Sequence, residues 1–454
     1  MRFVCARTPI PILVILSLCA IACDSESSEE ESADTDVAQT DSDETGSDET
    51  AFFTPQERST ILDWLGPLPD AIPADPSNAV ADDDGAAALG QALFFDESYS
   101  SSGDIACATC HDPRAAFDES RETNTSEGLE FTGRSSMSVL NGAFAEASEQ
   151  ASPWQFWDGR ADSQWAQALG PPESEVEMGS TRVRVALVVF EDYGDQYEAV
   201  FGGFPTLHDS DGNPLAPEDA KPGTESWDAL TPEVQDAFTE VYVNYGKAIA
   251  AYERRLISRN SRFDIFWKEL DDGAADSATL TDVEKQGLRV FIGKARCLGC
   301  HSGPNFTDGQ FHNTAVPQVG EHVEPMDDGR AVGLTMALES PFNCAGRWSD
   351  HPNKSECAIS NVGDGEGELG AFKTSSLREI AHRAPFMHTG GVATIEQAIQ
   401  HYDLGGAAPG LFAGQRDELM RPIGLSSPDR TALAAFLRAL GGEPLPESML
   451  EDPR

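Results

Sequence analysis

The sequence predicts a mainly α protein built as two related halves with long loops. Three observations carry this. The pattern G-x-x-x-F occurs twice on amphipathic stretches, at Gly90–Phe94 and at Gly287–Phe291. Each copy is followed by the same cysteine motif, Cys107-Ala-Thr-Cys110-His111 and Cys297-Leu-Gly-Cys300-His301. Each half then offers a further helix with apolar residues at helical spacing, Thr231–Leu256 and Pro428–Leu440. A motif repeated together with its upstream helix marks an internal duplication.

Composition narrows the classes. At 454 residues, two or three domains are the prior. The 23 Phe, 7 Trp and 7 Tyr supply cores and exclude wholesale disorder. With 77 acidic against 31 basic residues the net charge is −46, so a phosphate backbone would be repelled and nucleic-acid binding is excluded. Basic partners or cations would be attracted instead.

In chain order, Arg2 and Arg7 precede an apolar run from Ile10 to Ala22, the layout of a secretory signal (residues 1–22). The run is too short for a comfortable membrane span. It ends in Ala20-Ile21-Ala22-Cys23, which resembles a bacterial lipoprotein signal with Cys23 as the acylated residue; an ordinary signal peptide cut nearby is the alternative. Residues 23–51 read as an acidic tether: from Asp24 to Thr50 there are twelve acids and no Lys or Arg, too polar and self-repelling to fold.

The helix before Cys107 is Leu89-Gly-Gln-Ala-Leu-Phe94, and the one before Cys297 opens with Thr281-Asp-Val-Glu284, a capping-box pattern. C-x-x-C-H is the attachment signature of c-type haem: two thiols bond the vinyl groups, and the adjacent imidazole reaches the iron. Two copies behind an export signal argue for two covalent haems rather than a zinc or dithiol site. The small glycine lets the first helix of such a unit cross its last one closely, and the aromatic packs beside the haem. In the last helix Leu433, Phe436, Leu437 and Leu440 share a face. Two mostly helical, cytochrome c-like haem domains are expected at 52–272 and 273–446, packed face to face. Cys344 and Cys357 lie in a polar insertion; an even leftover pair in an exported protein reads as a disulfide, free thiols being the alternative.

From about Leu89 to Leu440 the chain resembles the diheme cytochrome c peroxidase family, including its MauG-type branch. The motifs are LGQALFFD before the first haem, FWDGRA at Phe156–Ala161, EMG at Glu177–Gly179, FKTSSLR at Phe372–Arg378 and APFMHTGG at Ala384–Gly391. Insertions fall near residues 203–230 and 320–367. The resemblance implies a peroxidatic haem on His111 and an electron-transfer haem on His301. Trp157 is implied to lie between the haems, and Glu177 to be the acid–base group, with Gln167 and Pro171 lining its pocket. Asn141 in VLNGAF, with the carbonyls of Arg383 and Pro385, is implied to hold one Ca²⁺, a hard cation suited to oxygen donors. His388 would lie close to that ion and the haem edges.

Two departures pull toward the MauG-type branch. Ordinary members carry methionine as the second haem's distal ligand; here the matching position is Tyr402, with His401 and Met387 as competitors. An anionic oxygen ligand lowers the potential relative to methionine. Many members also carry a histidine soon after the first motif that closes the resting iron, but no histidine occurs between His111 and His208. The first site is therefore expected open without reductive activation. The resemblance implies three readings: a periplasmic peroxidase reducing hydrogen peroxide with a small c-type cytochrome or cupredoxin as donor, a MauG-like oxidase acting on side chains of a partner protein, or a non-catalytic diheme electron carrier. Homodimers are common in the family.

Overall fold

The computed structural model describes residues 51–119, 125–144, 153–363 and 368–454; the signal segment, Cys23 and the acidic tract 24–50 lie outside the described residues. Helix dominates, and the one sheet among the described residues is a two-stranded antiparallel pair, β1 (Phe311–His312) with β2 (Phe372–Lys373). The cysteine motifs are positioned by helices α1 (Pro55–Trp64), α2 (Asp84–Phe94), α3 (Pro232–Glu253), α4 (Asp282–Ile292) and α5 (Ser427–Arg438). No helix among the described residues is long and apolar enough to cross a membrane.

The expected helices form where their caps place them. The side chain of Asp83 caps α2 by accepting from the Ala86 amide. Thr281 and Glu284 close a reciprocal capping box at α4, and Ser426 and Asp429 do the same at α5. The expected helix Thr231–Leu256 runs from Pro232 to Glu253, starting at a proline whose missing N–H costs nothing there.

Two helix pairs hold the molecule's halves, α2 with α3 and α4 with α5. The repeated glycine makes each crossing. A Cβ on Gly90 would stand 1.8 Å from the Ala248 carbonyl oxygen, and one on Gly287 would stand 2.0 Å from that of Ala432. Either glycine therefore lets one helix rest on the other's backbone. Phe94 and Phe291 follow as fully buried rings. Replacing Gly287 with alanine would force these helices apart. Overpacking of this kind costs about 1–3 kcal/mol, and thermal unfolding of Gly287→Ala should read it as a lowered midpoint.

The apolar residues gather in two main clusters. One is built on residues 89–256, with Trp165, Tyr242, Tyr245 and Phe238 at its centre. The other is built on Phe263, Phe266, Leu288, Phe291, Phe306 and Phe436. The clusters exchange chain ends. Phe53, Ile61 and Leu65 join the second cluster, and Leu445, Met449 and Leu450 pack against the first. The returning tail is hydrogen-bonded as well: Tyr252 Oη donates to the Met449 carbonyl at 2.6 Å, and Arg454 Nη1 donates to Tyr193 Oη at 2.7 Å. The apolar residues of 53–65 and 263–270 thus meet in the second cluster.

Cys344 and Cys357 are joined in a disulfide with Cα atoms 5.7 Å apart, buried with Trp154 and Leu334 in a third, small cluster.

Candidate functional site

Each cysteine motif is wound into a tight turn, Cys107–Cys110 as one helical turn and Cys297–Gly299 as a 3₁₀ turn. Cys110 and His111 line one cavity, with Cys107 in an adjoining pocket, and Cys297, Cys300 and His301 line another. None of these four cysteines is in a disulfide. His111 Nδ1 faces the Phe117 carbonyl at 3.3 Å, and His301 Nδ1 faces the Phe306 carbonyl at 2.9 Å. A donor hydrogen bond from Nδ1 fixes the tautomer and leaves Nε2 for a metal. Both phenylalanines sit at positive φ, 56° and 51°, a conformation that bulky residues rarely adopt. No residue pattern signals this repeated carbonyl brace. Burial lowers both imidazoles' pKa, which favours their neutral form, and pushes the Cys107 and Cys297 thiols up to about 12.

The first cavity, about 170 Å³, is lined by Cys110, His111, Trp157, Gln167, Pro171 and Glu177. The second, about 200 Å³, is lined by Cys297, Cys300, His301, Tyr402, Met387 and His388. Paired thiols, a braced neutral imidazole and a largely apolar cavity in each half fit a covalently attached haem.

Glu177 lies beyond the short helix Gly170–Glu173, and its backbone is pinned by Leu129, whose amide donates to the Glu177 carbonyl at 2.9 Å. Gly128 permits that approach, since a Cβ there would stand 2.3 Å from the Glu177 oxygen. Nothing in the sequence around Gly128 marks it.

Trp157 lines both cavities. Its Nε1 donates to the Ser135 carbonyl at 2.8 Å, and its own carbonyl accepts from the Lys373 amide at 2.8 Å on strand β2. Ser136, Lys373, Thr374, Ser375 and Arg383 share the partition with it. Lys373 belongs to the FKTSSLR motif, which gives it no role. Its ammonium donates to the Trp154 carbonyl, and burial lowers its pKa to about 8.

At the second cavity Tyr402 is a lining residue and His401 is not; His401 Nε2 instead faces the Thr314 carbonyl at 2.9 Å. Burial raises the Tyr402 phenol above its ordinary value, with the Cys300 and Cys297 thiols adding to the effect. His388 is buried and stacked on Phe372 with centroids 3.6 Å apart; its Nε2 has no hydrogen-bond partner among the described residues, and burial lowers its pKa to about 3. His312 lies outside the motifs. Asp417 faces its Nδ1 at 2.7 Å and Asp308 its Nε2 at 3.0 Å, and the Asp308 contact leads the causes that raise its pKa to about 11.

The residues expected around calcium are divided by present bonds. Asn141 Oδ1 accepts from the Ser258 amide at 2.9 Å and keeps one lone pair. The Arg383 guanidinium bonds Asp118 at 3.2 Å and the Ser376 carbonyl at 3.0 Å. Asn141 lines the first cavity, Pro385 the second and Arg383 both.

Residues 84–272 match the family model of the di-haem cytochrome c peroxidases. Among similar proteins, the cytochrome-c peroxidase IdrP2 of Denitromonas iodatirespirans is 28% identical over 79% of this chain and 82% of its own. The methylamine utilization protein MauG of Methylorubrum extorquens is 29% identical, over 83% of each chain. Solved structures share the fold: a MauG-like protein associated with microbial copper homeostasis (23% identity, TM-score 0.54, 85% of this chain and 97% of that one) and the diheme peroxidase BthA from Burkholderia thailandensis (21%, TM-score 0.55, 84% and 95%). Two braced C-x-x-C-H cavities and these likenesses lead to one conclusion: residues 84–272 match the di-haem cytochrome c peroxidase family, and about four fifths of the chain is similar to proteins named cytochrome-c peroxidase and MauG, a likeness that supports c-type haem and an oxidoreductase of the peroxidase type.

Proposed function

We propose that the protein reduces hydrogen peroxide to water at the His111 cavity, with electrons delivered one at a time through the His301 cavity from a small c-type cytochrome or cupredoxin. The observation that carries this reading is Trp157 lining both cavities, with Glu177 in the first of them. When bound, the haems supply the iron redox chemistry; the chain supplies placement and protons. Glu177, half-buried beside Gln167 and Pro171, holds one proton and moves it between the two peroxide oxygens as their bond breaks. Trp157, fixed by the Ser135 and Lys373 bonds, gives the two cavities a common aromatic wall. One Ca²⁺ on Asn141 and the carbonyls of Arg383 and Pro385 belongs to the same reading, as does a periplasmic protein tethered by lipid on Cys23.

MauG-type oxidation of a partner protein's side chain is the second reading, favoured by Tyr402 at the second cavity and by the absence of histidine from residues 112–207. A non-catalytic electron carrier would have no use for Glu177. Electron paramagnetic resonance of the untreated oxidised holoprotein tests the two axial sites. One high-spin and one low-spin ferric species are expected, with peroxide reacting without prior reduction. Tyr402→Phe should abolish the low-spin signal, and Tyr402→Met should raise the second haem's potential. Two low-spin haems would sink the open first site; a low-spin signal that survives Tyr402→Phe would move the ligand to Met387 or His401. Turnover with peroxide and a reduced cytochrome supports the peroxidase reading, whereas a cross-linked or hydroxylated partner protein supports the other.

A further inference from the structure

Glu253 closes α3 and turns into the first cavity. It also lines an adjoining pocket of about 40 Å³ that contains His111, Gln167 and Glu177. The residue is 4% exposed and pairs with no Lys or Arg among the described residues; its hydrogen bond comes from Gln164 Nε2, at 3.3 Å from Oε2. Its neighbours Arg254 and Arg255 turn away to Asp82 and Asp84. The other ionisable groups around it are Cys107 and His111 of the motif, Glu177 across the pocket, and Tyr252 on its own helix. A carboxyl so placed resists ionisation, and burial raises Glu253 to about 8, so it carries its proton at neutral pH.

Gln164 faces two ways. It lines the first cavity and also a polar cavity of about 310 Å³, whose walls include Asp75, Ser77, Asp162, Arg254, His351 and Glu356. A polar space of that size accommodates water. Gln164 therefore stands between the 310 Å³ cavity and Glu253, which lines the site.

The stoichiometry of peroxide reduction leaves a task for such a group. Each peroxide consumes two electrons and two protons to give two waters. Glu177 moves a proton between the two oxygens and supplies none on balance, so both consumed protons must enter from outside. We propose that Glu253 is the proton-loading residue of the first cavity: its carboxyl O–H breaks as an O–H bond of product water forms, and water in the polar cavity reprotonates the carboxylate past Gln164. The electrons are those of the reduced donor. This inference rests on the peroxide-reducing reading and adds the source of its protons.

The test uses the haem-loaded protein with Glu253→Gln, a neutral isostere that keeps the packing, and Gln164→Leu, which cuts the path and removes the carboxyl's hydrogen bond but leaves the carboxyl itself in place and protonated. Infrared difference spectra of the wild type at neutral pH should contain a protonated-carboxyl band that Glu253→Gln removes and Gln164→Leu retains. Both variants should slow steady-state turnover by about 10²-fold, the scale of one acid–base group, while the first reaction on mixing with peroxide keeps its rate. Wild-type turnover should fall as pH rises through about 8, and Glu253→Gln should lose that limb. A protein that reduces peroxide but lacks the band, or whose Glu253→Gln variant turns over at full rate, overturns this inference alone. A protein that has the band but does not reduce peroxide overturns the peroxidase reading beneath it.

Discussion

Replacing Glu177 with glutamine is expected to slow the reaction with peroxide by about 10²–10⁴-fold while both haems stay bound and reducible. An amide keeps the size and one hydrogen-bonding oxygen of the carboxyl but cannot release and regain a proton. The backbone that aims residue 177 is held by Leu129 and by the close approach of Gly128, neither of which the substitution touches. The loss should therefore be chemical rather than structural. Stopped-flow mixing with peroxide, read beside an unchanged absorption spectrum, checks it; an unchanged rate would remove Glu177 from the mechanism. Glu253→Gln should behave in the opposite way, with a normal first reaction and slow turnover, so the two carboxyls are separable on one instrument.

Loss of haem attachment should cost the fold itself. Replacing Cys107, Cys110, Cys297 and Cys300 all with alanine, or synthesis where no attachment machinery operates, leaves the surrounding side chains to close cavities of about 170 and 200 Å³. At roughly 24 cal/mol per Å³ of unfilled core, two such spaces cost about 9 kcal/mol. That is comparable with the whole stability of a domain, about 5–15 kcal/mol. The expected product is unfolded or degraded, as circular dichroism and limited proteolysis would report. A soluble haem-free chain with a cooperative thermal transition would contradict this.

How far the sequence can be read depends on how local each feature is. The capped helices, the Gly90 and Gly287 crossings and the two C-x-x-C-H turns are written in residues a few positions apart, and they are legible. Trp157 lines both cavities, Glu177 the first and Tyr402 the second. What escapes is long-range. Glu253 reads as one more polar residue at the end of an amphipathic helix until Gln164, 89 positions earlier, is seen against it. His312 gains its meaning from Asp417, 105 positions away, and Lys373 from the carbonyl of Trp154. The carbonyls of Phe117 and Phe306 are aimed by backbone angles that no residue type announces. The exchange of chain ends between the apolar clusters is equally invisible, because an apolar face does not say which partner will cover it.

That exchange bears on how the protein is made. A ribosome delivers Phe53, Ile61 and Leu65 early, yet their partners Phe263, Phe291 and Phe436 come hundreds of residues later. The first cluster waits in turn for Leu445, Met449 and Leu450, within ten residues of the C-terminus. The second cluster cannot close before Leu440 is made, nor the first before Leu450, so the nascent chain must be kept soluble until both have emerged. A copy cut short by even a dozen residues leaves both Tyr252 and Tyr193 without their tail partners. Quality control would thus see an early stop codon as a defect in the first half of the molecule.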